Sequence, residues 1–377
     1  MGPGEQTITN DEMLAAEYNS EYLGVTHFQL METVGARIAD RIAEKTRGKT
    51  NPRIHIIAGP GKNGGDGFAT ARHLASQGYK VRVTLVSRTS DVHDEAARHQ
   101  LDAILQMTDS IQFESLPDSS QLRPIEADII LDAVLGYGIK GELRQPLLGA
   151  VRIINRSRGY KIGLDLPSGL DSDTGEPHGE AVKADLTIPL HKIKQGLLKG
   201  TQYAGETISL IPPEAEAYAG PGDFKILWKP RPPTAHKGDY GRLLIIGGSE
   251  NFTGAPAFSA LAATKCGTDL VYVASPDKTA EIIASYSPDL ITIKLPGDHL
   301  NPRALPELAK WTTTADAIVL GPGIGLHEET VDAVKKLITE AGEQNKPIVL
   351  DADALKIFGR NRRRLKSPAV LTPHQGE

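Results

Sequence analysis

Short apolar runs rich in β-branched residues alternate with helical patterns along most of this chain. Residues 66–77 repeat apolar positions at helical spacing, so that Phe68, Ala71 and Leu74 share one face, and Gly78 ends the pattern. Such alternation predicts a parallel sheet with right-handed crossovers and helices on both faces. Further helices are predicted at 11–46 (interrupted near Gly24), 91–107 and 144–157, and strands at 53–59, 80–86, 127–135, 161–166, 186–190 and 206–211.

A proline-rich stretch separates this half of the chain from a second alternating half. Six prolines lie within residues 212–233, and proline removes a backbone donor and ends regular structure. We therefore predict a first domain at 1–215, a linker at 216–235 and a second domain at 236–377. The fold class is α/β, with two Rossmann-like three-layer α/β/α domains and mainly parallel sheets. The second half has predicted strands at 242–247, 270–274, 291–295, 317–320, 347–350 and 369–371.

Composition and charge exclude several classes of protein. The chain has 377 residues and a formal net charge of −5, with no long basic tract, which argues against nucleic acid as a partner. Cys266 is the sole cysteine, so no intrachain disulfide forms and a reducing compartment is expected. No stretch approaches the roughly 18 apolar residues that a membrane span needs. These features predict a cytoplasmic protein without a membrane partner.

The glycine-rich segment Gly59–Gly67 (GPGKNGGDG) is the first candidate for chemistry. It follows a predicted strand and precedes a predicted helix, where backbone N–H groups and the helix dipole favour a phosphate. Its G-x-G-x-x-G pattern is a weak signal by itself, and a tight turn is the plain alternative. The second predicted strand ends in Ser87 and Arg88 rather than an acid, which disfavours an ordinary NAD dehydrogenase.

Two aspartates interrupt apolar strands near their carboxyl ends. They are Asp132, within ADIILDAVL, and Asp165, in LDLPSG. A carboxylate in such a position is costly to desolvate unless it is paired, hydrogen-bonded or bound to a metal. Either residue alone would equally well be a satisfied polar group of the core. The two aspartates together, at strand ends that converge on the glycine-rich segment, favour a binding site.

Several motifs together resemble a known family. The segments LMETVG, GPGKNGGDG, LDAVLGYGIKGE, LDLPSGLDSDTG and ADLTIPLHKIKQGLL are similar to those of the NAD(P)H-hydrate epimerase domain, and the resemblance covers roughly residues 10–215. It implies that Asp165 contacts the hydrated nicotinamide ring as a general acid/base, and that Asn63, Asp132 and Ser168 coordinate a potassium ion. Lys194 aligns with a family lysine near the site, although a surface lysine is an equal alternative. The residues implied to cradle the substrate, NAD(P)H hydrate, are Lys62, Asn63, Gly64, Gly65, Asp66, Gly136, Tyr137, Gly138, Ile139, Lys140, Gly141 and Glu142.

The second half carries its own set of strand-end motifs. HKGDYG, GPGIG, DADAL and TPHQGE together resemble the ADP/ATP-dependent NAD(P)H-hydrate dehydratase, a ribokinase-like domain, and imply ADP or ATP as a cofactor. The resemblance places Gly323, His374 and Glu377 near the hydrate substrate. Fused in this order, the two domains resemble the bifunctional nicotinamide-nucleotide repair enzymes, in which one domain interconverts the R and S hydrates and the other dehydrates the S form.

The resemblance departs from the family at one point. The family's later segment, with its adenosine-nucleotide loop and Gly-x-Gly-Asp anion hole, does not occur before Glu377. We therefore expect the second domain to be truncated and its dehydratase activity to be doubtful. A ribokinase-like small-molecule kinase and a non-catalytic nucleotide-binding module stay open as alternatives. The preference between NADH and NADPH hydrate is undecided, and the family resemblance suggests a homo-oligomer.

Overall fold

The structure is a computed structural model that describes residues 7–138, 141–199, 208, 210–228, 230–360 and 364–375. It divides into two compact units, Met1–Pro230 and Arg231–Glu377. Three residues of the predicted site, Ile139, Lys140 and Glu377, lie outside the described residues. In the part of the chain that the structure describes, no helix is both long and apolar enough to span a bilayer.

Unit 1 contains eight strands and seven α-helices among its described residues. The strands are β1 (Thr7–Ile8), β2 (Ile54–Ala58), β3 (Val81–Leu85), β4 (Ile111–Ser115), β5 (Glu126–Ala133), β6 (Arg158–Leu164), β7 (Leu186–Ile188) and β8 (Ile193–Lys194). The helices are α1 (Asn10–Tyr22), α2 (His27–Lys45), α3 (Lys62–Ser76), α4 (Glu95–Leu105), α5 (Leu147–Arg156), α6 (Glu214–Ala217) and α7 (Pro221–Leu227).

Six of these strands form one parallel sheet in the order β4-β3-β2-β5-β6-β7. Alternate residues of the central strand β2 enter two different cores. Ile54 and Ile56 pack with helices α2, α3 and α4, whereas Ile57 packs with α5. The predicted three-layer α/β/α architecture is confirmed, and the order of the strands reverses between the parallel neighbours β2 and β5, where open sheets bind their ligands.

The break predicted near Gly24 separates α1 from α2. Each helix begins with a capping box, Thr9 with Glu12 and Thr26 with Gln29, in which side chain and backbone satisfy each other's polar groups. Gly24 has φ +93°, a conformation that ends α1 at little steric cost.

Other local expectations need correction. The chain around the start of the predicted linker forms α6 and α7, and Asn19 of α1 donates to Ala215 O and to Asp223. Strand β4 and the pair β1 and β8 were not predicted, since each has too few apolar residues to make a pattern. Half of the strand predicted at 206–211 lies outside the described residues.

Unit 2 repeats the strand order of unit 1 in a second parallel sheet. Its strands are β9 (Arg242–Ile246), β10 (Leu270–Pro276), β11 (Ile291–Leu295), β12 (Ala317–Leu320), β13 (Ile348–Leu350) and β14 (Ala369–Leu371). Its helices are α8 (Gly254–Lys265), α9 (Asp277–Ala284), α10 (Leu305–Thr314), α11 (Glu328–Glu343) and α12 (Ala352–Arg360). The order β11-β10-β9-β12-β13-β14 again reverses at the first and fourth strands. Helices α10, α11 and α12 cover one face and α8 and α9 the other, around two separate cores.

Candidate active site

A cavity of about 1460 Å³ opens at the carboxyl ends of β2, β5 and β6. This volume is large enough for a dinucleotide, since small-molecule sites commonly measure some 300–1,000 Å³. The lining includes residues of the first turn of α3, the loop after β5 and the residue after β6. Of the residues predicted to bind substrate, those lining the cavity are Lys62, Asn63, Asp66, Gly136, Tyr137, Gly138, Gly141, Glu142 and Asp165.

The glycine-rich segment is shorter as a loop than its sequence suggests. Helix α3 begins at Lys62, so only Gly59–Gly61 connect it to β2. None of the five glycines from 59 to 67 has a positive φ. They permit close packing instead. A Cβ on Gly64 would lie 1.9 Å from the carbonyl oxygen of Gly59, and one on Gly65 would lie 2.6 Å from Ala97 Cβ.

This packing brings the amino end of α3 to the cavity. Lys62, Asn63 and Asp66 reach the cavity wall, whereas Gly64 and Gly65 are buried and do not line it. The unpaired N–H groups and positive dipole of the first helical turn favour an anion there. A phosphate at this strand–helix junction therefore stays a prediction, in which the first turn of α3 rather than a long loop would bind the phosphate.

Asp165 and Lys194 form a buried ion pair beside the cavity. The Lys194 Nζ donates to Asp165 Oδ1 at 2.5 Å and to Leu190 O at 2.8 Å, and the lysine side chain is 0% exposed. Asp165 Oδ1 also accepts from Leu190 N at 3.0 Å. The alternative of a solvated surface lysine at 194 is wrong, because strand β8 pairs with β1 and encloses the side chain.

The backbone of Asp165 is unusual for a residue other than glycine. Its φ is +64°, in the left-handed region, directly after the last residue of β6. Such conformations cost energy and are typical of residues held in place for function. The turn aims the carboxylate into the cavity rather than along the sheet.

Asp132 and Ser168 contact each other at the neighbouring strand end. The Ser168 hydroxyl donates to Asp132 Oδ1 at 2.5 Å, and the Ser168 amide donates to Oδ2 at 2.8 Å. Burial of the carboxyl group outweighs these hydrogen bonds and raises the pKa of Asp132 to about 6. Asn63 is also buried, next to Gly136, and its Nδ2 has no hydrogen-bond partner. The three residues predicted to hold an ion therefore supply carboxylate, hydroxyl and amide oxygens around one sheet edge.

Glu17 of α1 belongs to the site and was missed by sequence reasoning. Its carboxylate accepts from Lys62 Nζ at 2.9 Å and from the Tyr137 hydroxyl at 2.6 Å. Burial and the Glu17 charge raise the pKa of Tyr137 well above its ordinary value. Burial, followed by the charges of Asp165 and Glu17, likewise raises the pKa of Asp66. The one sequence signal was a charge between Ala16 and Tyr18 in a helix without a clear apolar stripe.

Unit 2 presents a second set of loops at the carboxyl edge of its sheet. In the turn after β12, Gly321, Gly323 and Gly325 all have positive φ. The turn is held by Ser249, whose hydroxyl donates to Gly323 O at 3.0 Å, and by Asp353, which accepts from Gly325 N at 3.1 Å. A Cβ on Gly321 would lie 2.0 Å from Asp351 O, which explains why a residue without a side chain occupies position 321. His374 is exposed beyond β14.

The fold and the two strand-end sites define a nucleotide-binding α/β enzyme with two domains. Residues 27–196 match the family described as YjeF-related protein N-terminus, and residues 243–377 match the family described as NAD(P)H-hydrate dehydratase. A bifunctional NAD(P)H-hydrate repair enzyme from Hyperthermus butylicus is 40% identical over 377 residues, covering 99% of this chain and 70% of the relative. Another from Methanothermobacter thermautotrophicus is 39% identical over 373 residues, covering 97% and 71%.

The chain belongs to the bifunctional NAD(P)H-hydrate repair enzymes. Its two units correspond in order to the epimerase and dehydratase domains of that family. The sequence-based doubt about the second activity is not supported, because residues 243–377 carry the dehydratase match.

Two solved structures are similar to parts of this chain. The yeast protein ynu0 is 24% identical with a TM-score of 0.47, covering 61% of this chain and 97% of its own. The ADP/ATP-dependent NAD(P)H-hydrate dehydratase of Bacillus subtilis, crystallised with ATP and Mg²⁺, is 25% identical with a TM-score of 0.31 and covers 39% and 49%.

Proposed function

We propose that unit 1 interconverts the R and S forms of NAD(P)H hydrate at the cavity containing Asp165. The observation that supports this most strongly is the buried Asp165–Lys194 pair at the edge of a cavity whose other wall is the amino end of α3. That wall suits a pyrophosphate, and the ion pair suits proton transfer at the far end of the same ligand.

The chemistry follows from the structure of the hydrate. Its hydroxyl-bearing carbon lies beside an enamine nitrogen, whose electron pair expels the protonated hydroxyl as water and leaves an iminium ion. Readdition of water to the opposite face, with loss of a proton, inverts the carbon. Asp165 relays the proton in both directions, a contribution of roughly 10²–10⁴-fold for general acid/base catalysis. Lys194 holds the carboxylate in position through its ammonium group.

We also propose a potassium ion held by Asn63, Asp132 and Ser168. The residues fit such an ion, because Asp132 is a fully buried carboxylate with no cationic side chain bonded to it and Asn63 has an unsatisfied amide. Rotation of that amide exchanges its nitrogen and oxygen, so it can supply an oxygen ligand. When bound, the ion supplies positive charge beside the substrate phosphates.

For unit 2, we propose nucleotide-dependent dehydration of the S hydrate, with ADP or ATP. Support comes from the positive-φ turn Gly321–Gly325, which lies at the strand-order reversal of the second sheet. In this proposal Gly323 lies beside the hydrate substrate, together with His374.

The test of the epimerase proposal uses purified hydrate of a single epimer and follows interconversion by chromatography. Asp165→Asn is the variant to use, because asparagine tolerates a φ of +64° and keeps the size of the side chain. It is expected to lose about 10²–10⁴-fold in epimerisation rate and to keep NADPH binding, and it should melt at a lower temperature because Lys194 is left without its buried counter-charge. Replacing potassium by sodium is expected to lower the epimerisation rate of the wild type. The Asp132→Asn variant is expected to have the same rate in either salt.

Two outcomes would contradict these proposals. Wild-type protein that accelerates interconversion no more than buffer excludes the epimerase assignment. An Asp165→Asn variant with the wild-type rate removes Asp165 from the chemistry.

A further inference from the structure

Two histidines and a glutamate of unit 2 lie together at the surface, on the loop after β11 and on the segment that follows Gly321–Gly325. His299 lies in the loop after β11, His327 caps the amino end of α11, and Glu329 is in the first turn of that helix. One potential ligand atom from each residue lies within 4.8 Å of the others. Within the described ranges, no other group of three or more His, Cys, Asp or Glu side chains meets this criterion.

His299 is held by carboxylates on both sides of its ring. Its Nδ1 lies 2.6 Å from Asp298 Oδ1, and its Nε2 lies 2.9 Å from Glu329 Oε2. A carboxylate bonded to one ring nitrogen while the other faces a metal is the usual outer-shell arrangement of metal-binding histidines. Asp298 therefore stands where such an orienting carboxylate is found.

The ring of His327 packs against the ring of His299. The ring centroids of His299 and His327 lie 3.9 Å apart at an interplanar angle of 34°. His327 Nδ1 also accepts from Glu329 N at 3.3 Å, a long and weak cap. Two imidazoles and a carboxylate at contact distance form a donor set that borderline divalent ions prefer.

The backbone beneath this cluster is fixed from both sides. The Thr330 hydroxyl donates to Leu300 O at 2.8 Å, and both residues are fully buried. Asn301, also buried, donates to His299 O at 2.9 Å and to Pro296 O at 2.7 Å. The residues next to the potential ligands thus join the loop after β11 to the start of α11, which holds the ligand positions in place.

We propose that His299, His327 and Glu329 bind a first-row divalent transition ion such as Zn²⁺, with Asp298 orienting His299 and the fourth position left to water. Ligand atoms around tetrahedral zinc lie roughly 3.3 Å apart, given bonds of about 2.0 Å. The side chains therefore need to close by about 1.5 Å at most, from the present limit of 4.8 Å. Glu329 is 52% exposed and free to move that far.

Metal binding has to displace a proton from the cluster. The His299 Nε2 faces the Glu329 carboxylate at 2.9 Å, so this nitrogen carries the proton that the ion has to replace. The ion replaces the Nε2 proton, which is released to solvent. The positive end of the α11 dipole disfavours a cation, and the adjacent carboxylates of Asp298 and Glu328 oppose this effect.

The experiment is calorimetric titration of Zn²⁺ into the full chain after removal of metal with a chelator, in two buffers of different ionisation enthalpy. One Zn²⁺ per chain is expected, with proton release revealed by the difference between the buffers. Co²⁺ in place of Zn²⁺ is expected to show the visible absorption of a tetrahedral complex, and Mg²⁺ no saturable binding. A rise in the melting temperature of unit 2 with Zn²⁺ gives a readout independent of catalysis.

Variants separate this site from adventitious binding. The double change His299→Ala and His327→Ala is expected to abolish the stoichiometric binding, and Asp298→Asn to weaken it about 10–100-fold. His93→Ala, which removes an exposed histidine from unit 1, is the matched control and should leave binding unchanged. Absence of saturable binding to the wild type, or equal binding by the double variant, overturns the proposal.

Discussion

Three buried carboxylates of unit 1 differ in their bonding partners, and we expect them to differ in role. Asp165 has Lys194 as its partner, Asp132 has only the hydroxyl and amide of Ser168 and a neighbouring amide, and Glu17 receives two donors. A buried carboxylate with a cationic partner stays in place as a charge, whereas one held by neutral donors alone can take a cation as a further partner. The ion pair and the potassium site are therefore expected in neighbouring but separate places.

His55 shows what burial does to a histidine far from the substrate. The ring lies within β2, its Nε2 is 2.8 Å from Thr84 Oγ1, and that hydroxyl donates to Glu114. The neutral ring is therefore the donor in its bond to Thr84. Burial, with a smaller effect of the Arg82 charge, lowers the pKa of His55 to about 4.

We predict that His55 makes unit 1 sensitive to acid. Between pH 6.5 and about 4 the unfolded chain binds a proton at this ring that the folded chain does not. The contribution of His55 to the free energy of unfolding is therefore full above pH 6.5, and roughly 3 kcal/mol is lost as the pH approaches 4. His55→Gln, which keeps a donor near the position of Nε2, is expected to melt at a temperature that falls less between pH 7 and pH 5.

The matched control is His93→Gln, at an exposed histidine of the same unit. It should retain the acid sensitivity of the wild type. Equal melting-temperature losses for His55→Gln and the wild type would show that His55 does not cause this sensitivity.

At the scale of elements, the junction of β2 and α3 depends on glycines for packing. The carbonyl of Gly59 fits against Gly64, and the first turn of α3 thereby reaches the cavity. Local sequence predicted the strand, the helix and their order correctly. It did not predict where α3 begins, because the early start is stabilised by contacts with Ala97, Met31 and Ala133 rather than by local propensity.

Gly64→Ala is expected to be strongly destabilising even though alanine favours a helix by about 1 kcal/mol. Its Cβ would meet a backbone oxygen at 1.9 Å, so the helix or the strand end must move. Both the melting temperature of unit 1 and the epimerisation rate should fall. Gly61→Ala is the size-matched control, because nothing lies within 4 Å of its Cβ, and its cost should stay near 1 kcal/mol as a change of N-cap residue.

Among the strands, predictability followed apolar content. The buried strands β2, β5, β9 and β12 stand out as continuous apolar runs and were predicted within a few residues. Strand β4 has the pattern of one buried residue followed by exposed or half-buried ones, as expected of a sheet edge. Such strands form because a neighbour offers hydrogen bonds, which a local pattern does not reveal.

At the scale of the whole chain, two units with the same strand order have separate hydrophobic cores. Ile56 is the middle residue of β2 and Leu244 the middle residue of β9, and both are 0% exposed. Each belongs to a core of its own unit. Units with separate cores are expected to unfold in separate transitions.

We predict that Ile56→Ala and Leu244→Ala destabilise different units by about 2–5 kcal/mol each. Scanning calorimetry should show two transitions, with the first variant lowering one and the second variant the other. Epimerisation after brief heating reports on unit 1 and should be lost earlier only for Ile56→Ala. A single transition that both variants lower equally would contradict independent units.

The sequence by itself determined the alternating α/β pattern, the two domains' fold class and the carboxylates at the strand ends. Hydrophobic period, helix caps and turn residues are local properties, so they can be read along the chain. Only the tertiary structure decided that Lys194 is buried against Asp165, 29 residues away, and that Glu17 joins Lys62 and Tyr137 from 45 and 120 residues away. These contacts depend on the order of the strands and on the packing of α1 and β8 over the sheet edge, and no local pattern contains that information.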